Sequence, residues 1–143
     1  MQIWKRKTDL EAINNQMRNT MAPYLGIKIT NIFDNSLEGI MPVTNFVKQP
    51  YGILHGGASV ALAETLGSLG SNLCIEEKFS TVGLEINANH IKTVNKGEIK
   101  GVTYPIHIGK STHIWEIKLY NQNKLSCISR LNMAILRKKV PSQ

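Results

Sequence analysis

The sequence predicts an α+β domain in which a single long helix packs on a curved antiparallel sheet, and two observations carry that prediction. Residues 58–74 run Ala58-Ser59-Val60-Ala61-Leu62-Ala63-Glu64-Thr65-Leu66 and on through Gly67-Ser68-Leu69 to Cys74 with one charged side chain, Glu64. Segments of alternating apolar and polar residues lie on both sides of this run, separated by short polar turns. At 143 residues, 42% hydrophobic and 19% charged, the chain is of one-domain length. A chain of this size buries roughly 68–70% of its unfolded surface, so one domain over 1–143 needs neither disulfide nor metal to hold its core.

Each element has a local reason. Thr8-Asp9-Leu10-Glu11 fits a capping box, and Leu10, Ile13 and Met17 then share a helical face, which predicts a short flanking helix over 9–18. Between Leu25 and Val43 two apolar runs flank Asp34-Asn35, the pattern of a β-hairpin. Residues 44–57, with Pro50, Gly52, Gly56 and Gly57, read as a loop. The Ala/Leu-rich run that follows is too long for a strand, and its lone acid predicts burial around most of its circumference. Four strands come next: Thr81 to Lys92, alternating on Val82, Leu84, Ile86 and Ala88; Glu98 to His107; Thr112 to Tyr120; and Lys124 to Leu136. Short turn-forming connections join the last three into an antiparallel meander. The basic run Arg137-Lys138-Lys139 and the residues after it, taken with Leu136 as the stretch 136–143, read as a frayed tail.

Composition narrows the function. No apolar run approaches the ~20 residues that span a bilayer, and no apolar stretch follows the basic start, so neither a membrane segment nor a secretory leader is expected. Lys and Arg outnumber Asp and Glu 17 to 10. That excess favours anionic partners, but its scattered placement is not a nucleic-acid stripe. Cys74 and Cys127 have no ligand-spaced neighbours, so no zinc site or disulfide is expected, and two buried thiols fit a reducing cytoplasm.

Glu64 is the chemical anomaly. A carboxylate among Leu62, Ala63 and Leu66 is costly unless paired, hydrogen-bonded or protonated, so it either reaches a polar partner or serves as general base or nucleophile. His55-Gly56-Gly57 immediately precedes the helix, where unpaired N–H groups and the positive dipole end can hold an oxyanion; the same turn could simply lead into the helix. Gln49 is a lone amide that is either a surface residue or a second donor. Ser68, four residues after Glu64, shares its face and could orient the acid or a water, or merely pack. Gly56 and Glu64 are eight residues apart, ~12 Å along a helix axis, so one chain cannot close that gap. Two antiparallel helices from neighbouring copies could, which favours a site at a two-fold interface.

Gln49-Pro50-Tyr51-Gly52-Ile53-Leu54-His55-Gly56-Gly57, Ala63-Glu64-Thr65-Leu66-Gly67-Ser68 and Gly83-Leu84-Glu85-Ile86-Asn87-Ala88-Asn89-His90 together closely resemble the hotdog-fold acyl-CoA thioesterases. Within them the match is to the branch that hydrolyses 1,4-dihydroxy-2-naphthoyl-CoA in menaquinone synthesis, and it extends from Trp4-Lys5-Arg6 to Ser129-Arg130-Leu131. The resemblance implies a long helix wrapped by a curved sheet, two units sharing a continuous sheet, and commonly a dimer of dimers. It assigns Glu64 as nucleophile or general base, Gly56 N–H, Gln49 and His55 as contacts to the thioester carbonyl across subunits, and Ser68 as the serine that places acid or water. It puts coenzyme A near Gly83, along His90-Ile91-Lys92-Thr93 and across His107-Ile108-Gly109-Lys110-Ser111-Thr112. Lys92 stands where many relatives carry Arg, and Lys110-Ser111-Thr112 replaces a more usual Ser/Arg-bearing turn. No cofactor or metal is implied beyond the coenzyme A of the substrate, and the partners implied are an aromatic acyl-CoA and a second copy of the chain, with no nucleic acid and no membrane. The hotdog dehydratases resemble an H-F-P-G arrangement that this chain lacks. A non-catalytic acyl-CoA-binding module would keep the basic turns without needing Glu64. His90 and His113 read first as hydrogen-bonded strand residues, and Trp115 as core or interface.

Overall fold

The structure, a computed structural model, describes residues 1–139. Its elements are α1 (Leu10–Gln16), α2 (Met21–Tyr24), β1 (Lys28–Ile32), β2 (Leu37–Pro42), α3 (Gly56–Leu73), β3 (Phe79–His90), β4 (Glu98–Ile108), β5 (Thr112–Asn121) and β6 (Lys124–Arg137). The six strands form one antiparallel sheet in the order β1-β2-β4-β5-β6-β3, and α3 lies across its concave face. The expected architecture, hairpin and meander are all present.

Alternation decides which strand faces touch α3. Trp115, Ile117 and Leu119 of β5 and Leu131 and Met133 of β6 are buried beneath Leu62 and Leu66 of the helix. Two glycines let the layers meet closely. A Cβ on Gly70 would lie 2.9 Å from the Trp115 ring, and one on Gly101 would lie 2.5 Å from Leu66. Gln122 and Asn123, both at positive φ, turn β5 directly into β6. Pro105, which has no N–H to give a sheet ladder, sits where the β4–β5 register shifts.

Several expectations need correction. Asp9, not Thr8, caps α1: its Oδ1 accepts the Ala12 N–H at 2.8 Å, because the helix begins one residue later than the capping box requires. The helical turn α2 was not anticipated, since four residues carry no periodicity. α3 starts at Gly56 rather than Ala58, so the His-Gly-Gly turn is its first turn. Val82 and Leu84 do not face the core with Ile86 and Ala88. A bulge between Gly83 and Glu85 breaks the period of two and leaves Val82 45% and Leu84 61% exposed. The frayed tail does not begin at 136: Leu136 and Arg137 pair with Ser80 and Phe79, and Lys138 N–H reaches the Lys78 carbonyl at 2.9 Å. Residues 140–143 of that expectation lie outside the described residues.

The N-terminal arm is stitched to the far end of α3. Lys5 and Arg6 N–H groups both reach the Leu73 carbonyl, and the Arg6 guanidinium reaches the carbonyls of Ile75, Glu76 and Phe79. Trp4 stacks on buried Trp115 with ring centroids 6.3 Å apart. Cys74 and Cys127 are buried free thiols, and burial pushes the Cys74 thiol up to about 12. No helix of the described residues is long and apolar enough to cross a membrane.

Candidate active site

The loop before α3 is folded into a tight bracket. Lys48 bridges Leu54, Gln49 N–H donates to the Ile53 carbonyl, and Gly52 takes the turn at φ +79°. Leu54 N–H ties the bracket to the Val94 carbonyl at 2.6 Å. The Gln49 Oε1 accepts the Tyr51 N–H at 2.6 Å, which fixes the amide so that its NH2 remains a donor.

His55 is the N-cap of α3, and its Nδ1 accepts the Gly57 N–H at 2.8 Å. An imidazole that accepts at Nδ1 carries its proton at Nε2, so His55 presents a second outward donor. The His55 carbonyl takes the N–H groups of Ala58 and Ser59. Three of the first four helix donors are therefore used. The Gly56 N–H has no partner among the described residues.

Beside Gly56 opens a cleft of about 280 Å³ lined by Gln49, Gly56, His90, Ile91, Lys92 and Thr93. Residues expected at the carbonyl and at coenzyme A thus share one cleft, because the end of β3 passes the start of α3. The His90 ring lies against Gly56, where a Cβ would come within 2.8 Å of Nε2. Ser59 and Ser126 also line this cleft. Sequence reasoning missed them, since a serine in a helix or strand carries no signal without its neighbours.

Glu64 is half-buried, not fully enclosed as its apolar neighbours suggested; the helix buries Leu62, Ala63 and Leu66 against the sheet and points Glu64 toward the edge strand β3. Its Oε1 lies 3.0 Å from the position of a Cβ on Gly83. Gly83 thus lies against the carboxylate and does not line the cleft beside Gly56. Among the described residues Glu64 has no hydrogen-bond or ion-pair partner. Ser68 does not bond it either; its Oγ contacts Met133 Sδ at 3.7 Å.

The remaining predicted residues are elsewhere. His107 and Ile108 end β4, Thr112 begins β5, and Gly109-Lys110-Ser111 turns between them. The register sets Thr112 opposite Ala134 and Val82, whereas His90 lies opposite Cys127 and Leu119. Eight residues of strand, ~26 Å, therefore separate the two groups within one chain. Ile108, Gly109 and Lys110 instead line a separate cavity of about 500 Å³ at the C-terminal end of α3, with Lys5, Lys78 and buried His113. His113 is a structural residue as expected: its Nδ1 lies 2.7 Å from Ser71 Oγ. No group of three or more metal-ligating side chains occurs among the described residues.

A helix-start donor open to a cleft and, two turns further along the same helix, a carboxylate without a partner are the chemical features of the site, and comparison with known proteins fixes the class. Residues 51–128 match the profile of the thioesterase superfamily, and the chain belongs to that family, whose members hydrolyse thioesters. It is 47% identical over 135 residues, 94% of this chain and 99% of the relative, to the 1,4-dihydroxy-2-naphthoyl-CoA hydrolase of Escherichia coli K12. A protein of Cronobacter sakazakii named proofreading thioesterase EntH is also 47% identical, covering 94% of this chain and 98% of its own. Among solved structures, a Haemophilus influenzae thioesterase superposes with a TM-score of 0.94 at 40% identity over 99% of both chains, and the hotdog architecture is shared.

Proposed function

We propose that this acyl-CoA thioesterase hydrolyses an aromatic thioester, 1,4-dihydroxy-2-naphthoyl-CoA, to 1,4-dihydroxy-2-naphthoate and coenzyme A, as a step of menaquinone biosynthesis in the cytoplasm. The observation that carries the reading is the pairing of an unused Gly56 N–H with an unpartnered Glu64 carboxylate on one rigid helix. Eight residues of helix hold them ~12 Å apart. A second copy running antiparallel sets the Glu64 of one chain against the Gly56 of the other. The long outer edge of β3 and its exposed Val82 and Leu84 support sheet pairing between copies. Such pairing also carries the 109–111 turn of one chain toward the His90–Thr93 cleft of the other, joining the two halves of a coenzyme A site.

The Gly56 N–H polarises the thioester carbonyl, with the Gln49 amide and His55 Nε2–H as further donors. Glu64 then acts in one of two balanced ways. As nucleophile, a carboxylate oxygen bonds the carbonyl carbon, the C–S bond breaks and coenzyme A leaves as thiolate; water then cleaves the acyl anhydride. As general base, it takes a proton from water as that water attacks the same carbon, and the proton passes to the departing thiolate. Neither route calls on a metal or a cofactor.

The Lys92 and Lys110 ammonium groups supply point charges for coenzyme A phosphates. The identity shared equally with a proofreading thioesterase supports a second reading, an enzyme that clears a broad range of aryl thioesters from coenzyme A or aryl carrier proteins. Free thiol release from dihydroxynaphthoyl-CoA, benzoyl-CoA, phenylacetyl-CoA, a medium-chain acyl-CoA and an aryl carrier protein tests both. The highest kcat/KM is expected on dihydroxynaphthoyl-CoA. A preference for straight chains overturns the aromatic assignment, and a preference for the carrier protein favours the second reading.

A further inference from the structure

We propose that Asn72, oriented by Arg6, is the hydrogen-bond donor that selects oxygen-bearing ring systems in the acyl group; this rests on the thioesterase reading above. A cavity of about 320 Å³ lies between the α1–α2 segment and the outer face of α3, bounded by Gln16, Met17, Thr65, Ser68, Asn72 and Thr81. Glu64 does not line it, but residues that adjoin Glu64 do. Thr65 and Ser68 lie one and four residues after Glu64, and Thr81 shares a strand face with Gly83, against which the Glu64 Oε1 rests. Asn72 stands eight residues beyond Glu64 on the same helix, ~12 Å along the axis, and so closes the far end. An acyl group whose carbonyl meets Glu64 has its ring system inside this space.

The polarity of the far end is fixed by the N-terminal arm. Arg6 Nη1 donates to Asn72 Oδ1 at 2.6 Å, while Arg6 Nε and Nη2 are anchored on the carbonyls of Ile75, Glu76 and Phe79. The amide therefore cannot turn its oxygen into the cavity, and it presents Nδ2, whose hydrogens have no partner among the described residues. An unsubstituted or aliphatic acyl group strands that donor, whereas a ring oxygen satisfies it. In a 1,4-dihydroxy-2-naphthoyl group both oxygens are on the ring that carries the acyl carbon, and the 4-oxygen lies farther from the carbonyl, so the device reads hydroxylation of that ring rather than the number of fused rings.

The test compares dihydroxynaphthoyl-CoA with unsubstituted 2-naphthoyl-CoA on wild type and Asn72→Leu. Wild type is expected to favour the hydroxylated substrate, and Asn72→Leu to lose about tenfold or more in kcat/KM on it while staying within about twofold on the unsubstituted one. Asn72→Asp, which keeps the side-chain volume and the oxygen that Arg6 holds but replaces the donor with an acceptor, is expected to lose the same selectivity, and it carries the comparison alone if Asn72→Leu fails to fold. Equal losses on both substrates, or a wild-type ratio near one, overturn the role of Asn72 and leave the thioesterase reading intact. Absence of turnover on every aryl-CoA by wild type overturns both.

Discussion

At its C-terminal end α3 hands the Leu73 carbonyl to two backbone N–H groups, and Arg6 covers the carbonyls just beyond it. At its N-terminal end the same helix leaves the Gly56 N–H open beside a cleft. Each end leaves up to four orphan backbone groups, N–H donors at the start and C=O acceptors at the finish, with opposite signs of the helix dipole. One end spends its groups on the partly buried Arg6 and on the arm that carries it; the other leaves one N–H open, the donor proposed above for a developing negative charge. The contrast teaches that a saturated helix end is an anchor and an unsaturated one is a binding device. In the function proposed above, the anchor holds the helix so that an oxyanion meets a donor already in place.

The comparison can be broken most severely at the carboxylate. Glu64→Gln removes the base or nucleophile while keeping the side-chain volume, and turnover is expected to fall about 10²–10⁴-fold with the urea midpoint unchanged; wild-type turnover in that variant sinks the assignment. The donor comes next. Proline is well tolerated at the first helical position and lacks the N–H, so Gly56→Pro isolates it, provided His90→Ala first clears the ring that a Cβ would strike at 2.8 Å. Against Gly56→Ala in the same background, kcat is expected to drop about 10²–10³-fold.

At the anchored end the readout is stability. Arg6→Ala strands several carbonyls and is expected to cost about 2–3 kcal/mol in urea unfolding. Ser71→Ala leaves the His113 Nδ1 without its partner and is expected to cost about 1–3 kcal/mol. The smallest effect is a pH dependence. Burial holds the His113 imidazole below its usual value of about 6.5, with the nearby His107 and Lys5 charges adding to this and a Gly109 backbone contact opposing it. The folded chain thus binds fewer protons than the unfolded one just below pH 6.5. Stability is complete above that value and declines as the pH falls through the window beneath it. His113→Gln is expected to flatten that decline in thermal melts taken from pH 7 to pH 5.

Much of this was legible along the chain. The run after Gly57, charged only at Glu64, reads as a helix under cover, and alternation and turn chemistry mark the four strands that follow it. Glu64 and the His-Gly-Gly turn drew notice through residue type alone, because an acid in an apolar helix and glycines at a helix start each demand a reason. β3 misled, because a bulge at Leu84 reverses the faces and no local rule announces a bulge. The resemblance groups the 107–112 turn with His90–Thr93, and only the register shows the sheet's length that separates them within one chain.

The sequence by itself determined the long helix, the hairpin, the meander and the ~12 Å helical spacing that one chain cannot bridge, since these follow from periodicity and helix rise, while the resemblance of its motifs supplied the class of chemistry. Only the tertiary structure decided that Gly83 cradles Glu64, that His90 leans on Gly56, and that Arg6 sets the orientation of Asn72 from 66 residues away. Those relations depend on how distant segments pack, and packing is a property of the assembled core that no single segment carries.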